Sequence, residues 1–205
     1  LSKVRISGGG RCNCTNSFAD VTDLRQVYPR GATLLKRLFK QFGPQDAYQW
    51  FESHGVPLTI QPDQCVFPQA QDSRVIIDCF LREAARHGIL LRLGEKIESP
   101  ESLFPEFDYV AVTIGGTPKG EGCVPSLFTF NINDTLLTAL TGTVVEHAIA
   151  GMPGTKFRVQ GPLLITHWGM SGPAILKLSS HAARHLAECD YQSPLLVNWV
   201  GESNA

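Results

Sequence analysis

Gly8, Gly9 and Gly10 stand in a row, followed by Arg11, Cys12, Asn13, Thr15 and Asn16. These residue types at this spacing are suited to chemistry. Three consecutive glycines strip one stretch of backbone of side chains, so a flat or charged ligand can meet its N–H groups directly. Arg11 adds a fixed cation, and Asn13, Thr15 and Asn16 add short hydrogen-bonding arms. Such a set suits a phosphate-bearing or conjugated cofactor. The competing reading is a plain glycine turn with Arg11 paired to a local carboxylate.

Other reactive groups are weaker candidates. Cys12 and Cys14 are one residue apart, and a disulfide between them would close a small, strained ring, so two inert thiols are expected. His167 precedes Trp168 and a Gly-Met-Ser-Gly-Pro turn. It is the weak catalytic candidate, a general acid or base near neutral pH, against the favoured reading that it organises the turn. His181 and His185 are four apart on a helical pattern, but two ligands without a third do not make a metal site, and no metal is expected. None of the six cysteines forms a C-x-x-C pair, so reduced thiols in a cytoplasmic setting are expected.

The elements that must position these groups follow from periodicity. Leu1 to Ile6 reads as a short strand entering the glycine run. Thr33 is the expected N-cap of a helix bearing Leu34, Leu35, Leu38, Phe39 and Phe42. A second helix is expected from Gln45 to His54, ended by Gly55, and then a strand from Val56 to Ile60. Cys65 to Pro68 reads as extended, and Asp72 or Ser73 caps a helix from Arg74 to His87. Ile89 to Leu93 reads as the strand of an α/β unit with a parallel connection. Phe107 to Ile114 has the near-continuous apolar run of a buried parallel strand. It ends at Gly115 and Gly116, either a binding edge or a tight turn. Residues 124–168 favour short antiparallel strands, among them Phe128–Ile132, Lys156–Val159 and Leu163–Thr166. A helix introduced by Ser171 and Pro173, with Ala174, Ile175, Leu178, Ala182 and Leu186 on its apolar face, precedes a last strand over Leu195–Val200. The composition shift places a domain boundary near 120.

The 205-residue chain has a net charge of −1 and 43% hydrophobic residues, which fits a folded globular protein. Neither a nucleic acid nor a membrane surface is an expected partner, and no apolar run reaches bilayer-spanning length.

Taken together, Ile6-Ser-Gly-Gly-Gly-Arg-Cys-Asn13 with Thr15-Asn16, Val66-Phe67-Pro68 before a helix, Tyr109-Val-Ala-Val-Thr-Ile-Gly-Gly116, and Leu164-Ile-Thr-His-Trp-Gly-Met-Ser-Gly-Pro-Ala-Ile-Leu176 match one family. The chain resembles the YhiN/BaiN-type bacterial flavoproteins, NAD(P)/FAD-dependent oxidoreductases that include aminoacetone-oxidase-like members. The resemblance implies an α/β fold: a partial glutathione-reductase-like FAD-binding domain over 1–122 and a β-rich (α+β) inserted domain with one helix over 123–205. It also implies that Gly8, Gly9, Gly10, Arg11, Cys12, Asn13, Thr15 and Asn16 lie beside the flavin. Ile97 matches the position where a strand backbone reaches the adenine, and Thr113, Gly115 and Gly116 match the late glycine turn. The family's opening G-x-G-x-x-G unit and its closing FAD segment are not in the string, so a partial copy is expected, with doubtful FAD binding by this piece alone.

The function so implied is a portion of an FAD-dependent oxidoreductase acting on a small organic substrate, with NAD(P)H as a further cofactor and homo-oligomerisation as an option. The alternatives are a folded interaction module that no longer binds flavin, and a nucleotide-binding module using Gly8 to Arg11 for a phosphate.

Overall fold

In the computed structural model, residues 1–113 and 124–201 are described, and the chain divides into two units, Leu1–Asp108 and Tyr109–Ala205. Each is built around its own apolar cluster.

The first unit opens with helix α1 (Ser2–Gly10), whose regular turns break at Ser7 (ψ 150°) before Gly8 and Gly9 turn left-handed. The strand expected over Leu1–Ile6 is therefore a helix. A strand would need a neighbour for its N–H and C=O groups. Instead α1 packs on α4 (Arg74–Arg86). Between them lie β1 (Thr15–Asn16), α2 (Ala32–Leu38), α3 (Pro44–Ser53), β2 (Leu58–Ile60) and β3 (Cys65–Pro68). Helix α2 is capped by Gly31, not Thr33, because Gly31 takes the left-handed φ of +77° that starts the turn. Pro44 occupies the first turn of α3, where its missing N–H costs nothing.

The three strands form an antiparallel sheet in the order β1-β3-β2, with Thr15 opposite Val66 and Thr59 opposite Phe67. Helix α4 turns Ile76 and Cys79 inward to meet Phe51, Val56, Leu58, Val66 and Cys12.

Two expected strands are not formed. Residues 89–93 and 107–113 are irregular, with Leu90 80%, Leu93 89% and Tyr109 95% exposed. A buried parallel strand needs partners on its edges and layers on both faces. Every strand pairing among the described residues is antiparallel.

The second unit contains β4 (Phe130–Asn131), α5 (Thr135–Thr138), β5 (Val144–Gly151), β6 (Arg158–Thr166), β7 (Gly169–Ser171), α6 (Pro173–His181), α7 (Ala183–Glu188) and β8 (Leu196–Asn198). The five strands form an antiparallel sheet in the order β4-β7-β6-β5-β8. The expected strands at Lys156–Val159 and Leu163–Thr166 merge into one continuous strand, β6, which accommodates Gly161 and Pro162 within it. Its partner β5 carries a register irregularity between Val145 and Ala148. Helix α6 lays Ala174, Ile175 and Leu178 on the sheet and is capped by Gly172, not Ser171. At Gly172 φ is +90°, and a Cβ would come within 2.8 Å of the Leu164 N, so the close helix–strand junction requires glycine. The single expected helix divides at Ala182 into α6 and α7, yet Ala174, Ile175, Leu178, Ala182 and Leu186 all lie in the core as the pattern requires.

Candidate functional site

The glycine run is a folded loop held from below by β3 and from the side by α4. Gly8, Gly9 and Gly10 have φ of +56°, +69° and +84°. Such dihedrals exclude most side chains. Gly8 is closely packed: a Cβ there would lie 2.8 Å from both the Asn13 N and Phe67 Cε1. At Gly9 a Cβ would meet nothing within 4 Å, so this peptide is bare and open.

The loop is anchored by main-chain and side-chain bonds. The Cys12 N–H donates to the Ser7 carbonyl at 3.0 Å, and the Cys14 N–H donates to Val66 O at 2.9 Å. Ser73, buried at the start of α4, donates its N–H to Gly10 O and its hydroxyl to Arg5 O, both at 2.9 Å. Cys12 itself is left-handed (φ +63°) and buried, an energetically costly conformation that surrounding contacts must enforce.

Arg11 has no carboxylate partner among the described residues. Its guanidinium lies 4.0 Å from the centre of the Phe67 ring. Nε donates to Gly8 O at 3.1 Å and a terminal nitrogen to Gln71 Oε1 at 3.2 Å. Arg11 thus braces the loop with its cation spread over an aromatic face. The competing reading, a pairing of Arg11 with a local carboxylate, is not what the described residues show.

Beyond the glycines the donors are set by β1. Asn16 accepts the Phe18 N–H at 2.8 Å and directs its amide nitrogen to Cys65 Sγ at 3.9 Å. Thr15 sits in the sheet opposite Val66, and Asn13 is exposed at the loop's tip. The thiols are chemically quiet. Burial, with Cys12 alongside, pushes the Cys14 thiol up to about 12. Burial also raises Cys65, against the lowering effect of hydrogen bonds from Asn13 and Asn16. Cys12, Cys14, Cys65, Cys79 and Cys189 are all free.

The other expected site residues lie in other stretches of the sequence. Ile97 lies in irregular chain of the first unit, 45% exposed, where the expected strand is not formed. Thr113 belongs to the second unit, while Gly115 and Gly116 lie outside the described residues. His167 is exposed in the two-residue hairpin loop between β6 and β7, its ring edge-on to Trp168 at 4.4 Å. The loop is closed by the Thr166–Gly169 pair of the ladder rather than by a histidine bond. Among the described residues no group of three or more His, Cys, Asp or Glu converges. No described helix is long and apolar enough to cross a membrane.

Phe67, Gln71 and Ser73 are the loop's supports; from the sequence Phe67 reads only as part of an extended segment and Ser73 only as a cap, and Gln71 carries no signal. The residue type could not disclose their partners, because each acts on the loop from more than 50 positions away.

Two helix ends meet at the glycines: the short regular part of α1 runs into them, and the N-terminus of α4 abuts them where the Ser73 N–H donates to Gly10 O, so the helix dipoles do not choose between a phosphate and a ring. The bare, open peptide at Gly9, next to the packed Gly8, leaves room for a flat ring system to approach the backbone.

Comparison with known proteins adds the following. Residues 1–113 match the family model for the HI0933-like protein Rossmann domain, and residues 124–205 match that for the HI0933-like protein barrel and H2TH domain. The chain is 22% identical over 219 residues to a 3-dehydro-bile acid delta(4,6)-reductase of Clostridium scindens, covering 91% of this chain and 52% of the relative. It is 25% identical over 212 residues to the ribosomal RNA dihydrouridine synthase of Escherichia coli, covering 87% of this chain and 52% of that protein. A 64-residue stretch is 41% identical to the Haemophilus influenzae protein of the same name, 31% of this chain and 15% of that one. The chain therefore spans about half the length of the curated relatives it matches over most of its own length.

Proposed function

The chain belongs to the HI0933-like flavoprotein family, and from that premise we propose that it is part of an FAD-dependent oxidoreductase whose glycine loop, residues 8–16, lies against the flavin. The observation that carries the reading is the open left-handed peptide at Gly9, whose neighbour Gly8 packs against Asn13 and Phe67 and is held by Arg11. FAD, when bound, supplies hydride and electron transfer. The chain's residues would do the rest. The bare backbone of Gly9 and Gly10 would let the ring approach, Asn13 would offer an amide to its polar edge, and the packed Gly8 and Cys12 would hold the loop in shape before the ligand arrives. That pre-organisation lowers the ordering cost of binding.

The names of both long-range relatives denote reduction of a ring: a delta(4,6)-reductase and a dihydrouridine synthase. The first name sets that ring in a bile acid and the second in ribosomal RNA, so the names support an unsaturated ring as the group reduced; a small organic substrate and reduced NAD(P) as the electron source are part of the same proposal. Free thiols support a reducing, cytoplasmic location. The exposed apolar residues of 89–93 and 107–112 favour a second reading, in which the folded piece serves as an interaction module.

FAD titration of the full-length protein decides between the two. A yellow complex absorbing at about 450 nm, the ordinary flavin band, with affinity lowered by Gly9→Ala, is the expected result. A full-length protein that takes up no FAD refutes the flavin reading and leaves the interaction module.

A further inference from the structure

Beside the glycine loop, wholly within the first unit, lies a cavity of about 460 Å³. Asn13 to Asn16 line it, together with four aromatic residues, Phe18, Tyr28, Phe39 and Phe42. We infer that this cavity is the substrate subsite and that it takes a neutral, flat, unsaturated ring compound, stacked on the aromatic wall and turned toward the loop. The inference rests on the flavin reading for its catalytic meaning, though its binding chemistry stands on the cavity alone.

Three observations carry it. First, the aromatic wall is a built cluster. Phe18 and Tyr28 are nearly parallel (16°) with centroids 6.3 Å apart, and Phe39 meets both edge-on at 6.1 and 6.3 Å. Such a cluster offers both ring faces and ring edges to a planar guest. Second, Phe18 holds its place in a left-handed conformation (φ +56°), unfavourable for a bulky residue, while Asn16 accepts its N–H. The same Asn16 lines the cavity, so loop and aromatic wall are tied together at the site's edge. Third, none of the described residues lining the cavity carries a charge, and Cys14 among them stays a thiol near neutral pH. A charged guest would find no side chain of opposite charge in this lining. The Tyr28 hydroxyl, the Thr15 hydroxyl and the Asn13 amide are the polar handles for a carbonyl or hydroxyl on the ring. The volume lies in the range usual for small-molecule sites.

A larger cavity in the second unit, lined in part by Phe128, Phe130, Met152 and Tyr191, shares no residue with the loop and serves as the internal control.

The experiment uses the full-length protein and three probes of one skeleton: 2-naphthol (flat and neutral), decahydro-2-naphthol (puckered) and 2-naphthoate (anionic). Binding is measured by equilibrium dialysis, with FAD content read in the same samples. The expected result is saturable binding of 2-naphthol, at least about tenfold tighter than either counterpart. Phe39→Ala and Phe42→Ala should each weaken it at least about fivefold, and Tyr191→Ala should leave it unchanged. Phe42 is 56% exposed, so its replacement tests the wall even where Phe39→Ala disturbs folding. Equal binding of the three probes, insensitivity to Phe42→Ala, or loss on Tyr191→Ala overturns the inference. FAD uptake without these naphthol effects sinks this subsite alone. Naphthol effects without FAD uptake sink the flavin reading and leave the ring site standing.

Discussion

Replacing each of two adjacent glycines by alanine separates packing from dihedral strain in the loop. Gly8 and Gly9 have similar left-handed dihedrals, and an alanine in that region costs about 1–2 kcal/mol at either position. Only at Gly8 does the added Cβ crowd its surroundings, at 2.8 Å from both the Asn13 N and Phe67 Cε1. Neither atom is the free end of a flexible chain, since Phe67 is 4% exposed and lies under Arg11. Forced repacking of this kind adds about 1–3 kcal/mol. Gly8→Ala is therefore expected to cost about 2–5 kcal/mol and Gly9→Ala about 1–2 kcal/mol. Urea denaturation followed by Trp50 fluorescence, in a Trp168→Phe, Trp199→Phe background, reads the first unit. The FAD readout should separate differently: Gly9→Ala, which stands in open space, should weaken FAD by about fivefold to a hundredfold, the effect of a methyl group driven into a contact. Equal destabilisation by the two alanines would refute the packing argument, and unchanged FAD affinity in Gly9→Ala would take that peptide out of the site.

Alkylation of Cys14 should keep accelerating well past pH 9, because its thiol is held up to about 12 and the thiolate is the reacting form; site-resolved mass spectrometry that showed it levelling with an ordinary cysteine would contradict this. Ser73→Ala removes the hydroxyl bond to Arg5 O in a buried setting and should lower stability by about 1 kcal/mol, measured by urea unfolding, with more loss if the Arg5 carbonyl stays unpaired. Asp134→Ala removes the side chain that accepts the Leu136 and Leu137 N–H groups at the start of α5 and should cost about 1 kcal/mol by the same measurement, while Asp134→Asn should recover most of it.

Helices α2, α3, α4 and α6 were legible because their apolar residues recur at helical spacing, as Ile76 and Cys79 do on α4 and Ile175 and Leu178 on α6, whereas α1 and the one-turn α5 bury no residue and carry no such pattern. Strands were legible where a short apolar run meets a partner, near in sequence or far, as β8 does on β5 and β4 on β7. Leu58–Ile60 and Cys65–Pro68 pair across a short turn. By contrast, Phe107 to Thr113 carries the composition of a buried strand, and composition cannot state whether a neighbour is there to pair with it. No pattern pointed to β5, since Glu146 and His147 interrupt the apolar run before Ala148 to Ala150 enter the core. At the site, the glycines and their short polar neighbours announced a loop of unusual backbone. Its supports did not announce themselves: Phe67 under Arg11 and Ser73 beneath Gly10 are contacts made by the fold, not by spacing.

Strand β3 has an additional consequence. Val66 receives the Cys14 amide, Phe67 carries Arg11 and backs Gly8, and Cys65 receives Asn16, so one tetrapeptide is both the centre of a sheet and the floor of the loop. The Cys14 amide should then exchange with deuterium only when the whole three-stranded sheet opens, at a rate shared with the β3 amides. Gly8 and Cys14 would then move with the sheet, while Gly9, which nothing packs against, keeps the freedom of an exposed turn.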